Sequence, residues 1–175
     1  MASIDSQEPI SLGFITVIDH EDLGCIGGYL ILNLGGRPLE FHCTAPVRAN
    51  RAQQILYGVS LKPFLYGELI GQALVERGSK VPTVVCADQL ELLPLQAWLS
   101  VPVVHVASEQ VQEPTGSAPL YPTVLGDYSL STQSAMIPPA IVEDLGLFME
   151  TIALCEPFGR IRAAIEEARR GARAA

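Results

Sequence analysis

The segment Thr83-Val-Val-Cys-Ala87, apolar after its first residue and bounded by Pro82 and Asp88, constrains the fold more than any other stretch of this chain. So short a run with no polar face suits a strand covered on both sides, and such strands belong inside sheets that carry helices on both faces. Val101-Pro-Val-Val-His-Val106 reads as a second buried strand. The intervening Leu90–Leu99 reads as a short helix, so the pair forms a βαβ unit.

Upstream, Phe14-Ile-Thr-Val-Ile18 is β-branched and aromatic and predicts a strand ending near Asp19. Tyr29–Leu32 and Leu39–Thr44 predict two more, joined by Asn33-Leu-Gly-Gly-Arg-Pro38, whose glycine pair suits a tight hairpin. In the third strand Leu39, Phe41 and Cys43 share one face and Glu40, His42 and Thr44 the other, so His42 and Cys43 diverge. Arg48–Tyr57 reads as a helix with Ala49, Ala52, Ile55 and Leu56 toward the core. A second helix runs from about Tyr66 to Arg77, where Leu69, Ile70, Ala73 and Leu74 repeat at helical spacing and Gly78 stops it. Two more are expected at about Ile141–Leu154 and Phe158–Ala172.

The fold class that follows is α/β: a mixed sheet with a three-stranded antiparallel N-terminal meander, then βαβ units, with helices on the faces. A chain of 175 residues suits one domain, 1–175. Within it 1–10 is a loose lead-in and 141–175 carries the C-terminal helices. The Pro-, Ser- and Thr-rich stretch 108–139 is a long loop, or a flap with a short strand near Tyr121–Leu125.

No apolar run is long enough to span a membrane, and Met1–Glu8 lacks the basic start of a secretory signal. Cys25, Cys43, Cys86 and Cys155 are widely spaced, as buried thiols of a reducing cytoplasm would be. The net charge of −8 is uneven: the last sixteen residues hold 5 of the 11 basic side chains but only 2 of the 19 acidic ones. An acidic body disfavours nonspecific nucleic-acid binding.

Four acids sit where chemistry could be placed. Asp19 ends the first strand in Val17-Ile-Asp-His, and Asp88 ends the fourth in Val85-Cys-Ala-Asp-Gln. Glu68 lies in a helix, in Tyr66-Gly-Glu-Leu-Ile, and Asp144 in a later one, in Val142-Glu-Asp-Leu. With the element order over residues 12–107, these acids resemble the ribonuclease-H-like fold. That resemblance implies a metal-dependent nuclease, with Asp19, Glu68, Asp88 and Asp144 catalytic and Asp19, Glu68 and Asp88 holding two Mg²⁺ or Mn²⁺ ions. Each acid also has a structural explanation. Asp88 and Glu91 are spaced as a capping box, Glu68 and Asp144 suit first turns of helices, and Asp19 begins a polar turn.

Other chemistries have less to stand on. The chain has no close cysteine pair for structural zinc, no G-x-S-x-G elbow and no phosphate-binding glycine motif. In the last helix Phe158, Ile161 and Ile165 form an apolar stripe, and Arg160, Arg162, Arg169, Arg170 and Arg173 crowd the remainder; arginines late in a helix complement its dipole, and these could also dock an acidic partner or this protein's own acidic body. Three functional expectations follow. The first is a non-catalytic accessory or protein-interaction module of an intracellular assembly, with no cofactor, partnered by another protein or itself through those arginines. The second is the two-metal nuclease, with nucleic acid as its partner. The third is a zinc- or small-ligand-binding domain.

Overall fold

The structure, a computed structural model, describes residues 9–108, 120–134 and 136–174, with side chains as far as Ala172. The predicted sheet is present and larger than expected. Its seven strands run in the order β3-β2-β1-β4-β5-β7-β6. β1 (Ser11–His20), β2 (Gly24–Asn33) and β3 (Pro38–Cys43) form the antiparallel meander, and β4 (Val84–Ala87) and β5 (Val103–Ser108) extend it in parallel from β1. The two apolar runs that anchored the sequence reading thus form adjacent central strands, and β4 is buried along its whole length.

The stretch read as a loop or flap contributes a hairpin to the far edge. β6 (Tyr121–Leu125) lies where a short strand was expected, and β7 (Tyr128–Thr132) pairs with both β6 and β5. Gly126 takes a positive φ in the two-residue turn between them. Residues 1–8 of the lead-in and the segment 109–119 lie outside the described residues.

Helices cover both faces. On one side a helical run follows β3: α1 (Arg51–Tyr57), α2 (Leu61–Pro63), a wide-turned π-helical stretch (Phe64–Gly71) and α3 (Gln72–Arg77). Pro63 is accommodated because it falls in the first turn of the helix that starts at Leu61, where its missing N–H has no intrahelical acceptor to lose. A 3₁₀ segment (Leu90–Trp98) packs on the same side. On the other side lie α4 (Pro139–Met149) and α5 (Glu156–Ala174).

The expectation that Ile55 and Leu56 face the core is not met. They are 65% and 81% exposed, and α1 buries none of its residues. Helical spacing of apolar residues identifies a stripe but not what covers it.

Two adjacent glycines let both layers seat. A Cβ on Gly27 would lie 2.1 Å from a methyl of Ile70, on the π-helical side, and one on Gly28 would lie 2.3 Å from a methyl of Ile161 in α5. Neighbouring strand residues face opposite sides, so each helix reaches the sheet backbone through its own missing side chain. Gly28→Ala is therefore expected to destabilise the protein by about 1–3 kcal/mol, the usual cost of overpacking, read as a lower urea midpoint with unchanged slope.

At the meander edge, Glu40 of β3 ties down the turn between α3 and β4. Its carboxylate accepts from Ser79 N (2.8 Å), Ser79 Oγ (3.0 Å) and Lys80 N (3.1 Å), and it pairs with His42 on the same strand face. The hydrogen bond to His42, aided by those from Ser79 and Lys80 and opposed by burial, pulls the Glu40 carboxyl from 4.5 down to about 2. A depressed carboxyl stabilises the fold fully above its unfolded value and loses that contribution as pH falls toward its folded value. Glu40→Gln should cost roughly 1–3 kcal/mol at neutral pH, with the gap from wild type closing between pH 4.5 and about 2. Chemical denaturation across that range checks it.

Candidate functional site

The polar groups that converge lie where β1 and β4 end, beneath α5. Parallel pairing between the two strands stops at Ile15–Ala87, and the Gln89 side chain continues it by accepting from Val17 N (2.8 Å) and donating to Val17 O (2.9 Å). Thr16 and Asp88 are the next residues along each strand. Leu12 and Phe14 of β1 and Val84 and Cys86 of β4 pack into the core under α4 and α5, so strand alternation aims Thr16 and Asp88 at the same layer.

Arg162 of α5 meets them there. Its Nη2 donates to Asp88 Oδ2 in an ion pair and lies 3.3 Å from Thr16 Oγ1. The Asp88 side chain is 14% exposed and that of Arg162 is 46% exposed, while Thr16 is fully buried. Asp88 Oδ1 is buried without a hydrogen-bond partner among the described residues. Asp88 therefore does not cap the following helix, as its spacing from Glu91 suggested: Gln89 holds the cap position, without a side-chain cap bond. A protein cation claimed the carboxylate instead.

One turn further along α5, Glu166 lies 3.2 Å from His20 Nε2, and Arg169 Nη1 donates to both Glu166 oxygens at 2.8 and 2.9 Å. Arg162, Glu166 and Arg169 thus follow the polar end of β1 in register with Thr16 and His20. Sequence reasoning missed Thr16, His20 and Glu166. The signal was present: Thr16 and His20 share the strand parity of Phe14, and Glu166 lies four residues after Arg162.

Asp19 is on the opposite face. With Ile15 and Val17 it faces the layer of the π-helical stretch, where Cys25 Sγ lies 3.7 Å from Asp19 Oδ1. Burial, then the Asp19 charge, pushes the Cys25 thiol up, and burial with the nearby Cys25 and Asp19 raises Tyr66. Glu68 is half-buried within the π-helical stretch, on that same side of the sheet. Asp144 is half-buried on α4, on the Asp88 side, and burial followed by the charge of Glu143 raises its carboxyl. The four acids divide between two faces, and among the described residues no three His, Cys, Asp or Glu side chains gather as metal ligands would. His105, beside Asp88 on β5, is held below its ordinary range by burial, against the pull of Asp88.

Of the arginines proposed to dock a partner, Arg160 bonds Glu156 and the Gly36 carbonyl, Arg162 bonds Asp88, Arg169 bonds Glu166 and Arg170 bonds Glu167. The side chain of Arg173 lies outside the described residues. No helix among the described residues is long and apolar enough to cross a membrane.

No protein-family model matches the sequence, and no curated protein matches it. Solved structures do. Human Endonuclease V aligns over 97% of this chain and 87% of its own, with a TM-score of 0.55 and 16% identity. The catalytic domain of human Endonuclease V with four cysteine substitutions aligns over 96% and 85%, with a TM-score of 0.53 and 16% identity. At this identity the likeness is one of fold, and it agrees with a ribonuclease-H-like architecture. It also corrects the first functional expectation: the proteins that share this fold over nearly the whole chain are endonucleases by name, which favours the nuclease alternative over a non-catalytic accessory or protein-interaction module.

Removing Arg162 leaves a largely buried carboxylate without its partner. Arg162→Ala is expected to cost about 1–3 kcal/mol, and adding Asp88→Asn should recover part of that loss, because the two changes remove one interaction. Urea midpoints of the two single variants and the double variant measure the coupling.

Proposed function

We propose that this chain is a nuclease-like protein that engages nucleic acid at the strand ends of its sheet, with Arg162 as the phosphate-binding group and Asp88 as the carboxylate that fixes it. One observation carries the reading: on a fold shared with nucleases, a partly exposed guanidinium is anchored at the ends of β1 and β4. A guanidinium offers five donors in a planar fork, so one used on Asp88 and Thr16 leaves others for a phosphodiester oxygen.

Divalent-metal chemistry is the natural expectation for such a nuclease. Two ions need several carboxylates on one side of the sheet. Here Asp19 and Glu68 are on one face and Asp88 and Asp144 on the other, and Asp88 is already paired with a cation. The residues do not fit a two-ion site, and no step through a metal is assigned to them. Asp88 and Arg162 are the pair this reading retains. We read the chain as one α/β domain of the reducing cytoplasm, which four free cysteines support.

Fluorescence polarisation with labelled single-stranded and duplex DNA and RNA at low salt tests the proposal, with products resolved on denaturing gels. Saturable binding that weakens as salt rises is expected. Arg162→Gln should weaken it by roughly tenfold, as loss of a charged hydrogen bond implies, whereas Arg170→Gln, on an exposed part of α5, should change it less. Absence of saturable binding to all four nucleic acids would end the reading.

A further inference from the structure

The disagreement between fold and donor set has a specific structural form. Asp88 and Thr16 stand side by side at the ends of adjacent parallel strands, facing one layer. A divalent ion at that spot would need oxygen ligands carrying enough negative charge to replace its water, and carboxylates supply that best. Thr16 offers only a neutral hydroxyl, fully buried and within reach of Arg162 Nη2. Asp88 offers one carboxylate, whose Oδ2 is held by the same nitrogen. The nearest further acid along α5, Glu166, is occupied by Arg169 and His20. Asp19 and Glu68 are beyond the sheet.

We infer that Arg162 serves as a resident cation in the position a divalent ion would take, so that the strand-end site is built to work without Mg²⁺ or Mn²⁺. Three features converge on this. The guanidinium neutralises the one carboxylate at the strand ends, and Asp144, on α4 of the same face, joins no cluster of three candidate ligands among the described residues. It repels any dication approaching the same oxygen. The residue across from Asp88 cannot supply the second negative charge that would outweigh that repulsion. The arginine is carried on a long helix whose Ile161 is pressed against the sheet at Gly28, so its backbone is fixed where the side chain must reach. A phosphate that a metal would otherwise bridge meets the guanidinium directly; this second consequence rests on the nucleic-acid reading and implies binding indifferent to chelator.

Titration of the purified full chain with Mn²⁺, followed by the electron paramagnetic resonance signal of the free ion and by thermal shift, tests the metal claim without any nucleic acid. Wild type should leave the signal unchanged apart from weak, non-saturating loss, and its melting temperature should not rise. Arg162→Gln combined with Thr16→Asp places two carboxylates side by side and removes the resident cation. That variant should bind Mn²⁺ at least about tenfold more tightly than wild type and gain melting temperature with it. Saturable Mn²⁺ binding by wild type that Asp88→Asn abolishes would overturn the inference, and so would a folded double variant that binds no better than wild type. Should the double variant not fold, the wild-type titration with its Asp88→Asn control decides the question alone. Chelator-insensitive nucleic-acid binding by wild type supports the second consequence, and binding that requires added metal contradicts it. Failure to bind nucleic acid at all removes the proposed function and leaves the metal result standing.

Discussion

Gly27 and Gly28 are the point on which the two layers of this molecule turn. Successive residues of a strand face opposite sides, so a glycine pair opens the sheet to close approach from both directions at one place. Ile70 enters one opening, and Ile161 and Ile165 enter the other. Each is a branched side chain that would collide with any Cβ there, so the spacing of both helical layers from the sheet depends on two absent methyl groups. The seating of α5 has a further effect, because the residue after Ile161 is Arg162. Pressing Ile161 onto β2 places the next side chain over the ends of β1 and β4, where Asp88 waits.

The polar line along α5 shows how a helix can bury an apolar stripe and still carry charge to a sheet. Ile161 and Ile165 are buried, while Arg162, Glu166 and Arg169 border them and meet Thr16 and His20 on β1 and Asp88 at the end of β4. A carboxylate as enclosed as Asp88 would be costly alone, and the guanidinium offsets that cost while keeping nearly half its own surface in water. Arginine suits this better than lysine, since one fork can serve Asp88, Thr16 and solvent together.

Much of the architecture was legible because strand periodicity is read locally. The apolar β4 segment, the alternation in β3 and the glycine hairpin each announced themselves within a few residues. What failed had different causes, and for Asp88 it was a partner distant in sequence. Ile55 and Leu56 have the spacing of a buried stripe, yet nothing among the described residues covers them. Tyr128–Thr132 alternates around a Gly126-Asp127 turn, but the abundance of proline and serine nearby masked a real hairpin. Asp88 fitted a capping box on local spacing, and a residue 74 positions away outbid the helix for it. For the acids, parity alone was informative. Asp19 shares its face with Ile15 and Val17, whereas Asp88 shares its face with Cys86, and the β1–β4 register turns that into opposite sides of the sheet.

Fold and chemistry therefore answer to different residues here. The sheet order and helical layers follow from apolar runs and small residues, and the fold they make aligns with human Endonuclease V over almost the whole chain. The chemistry at the strand ends depends on three side chains, and they are a carboxylate, a hydroxyl and a guanidinium. A fold can keep its strand-end geometry while exchanging the charge placed there. What such a geometry always supplies is convergence: parallel strands stop together, their last polar residues face one layer, and a helix lies over them. In this chain the group that meets Asp88 at that convergence is a guanidinium, a cation covalently part of the protein.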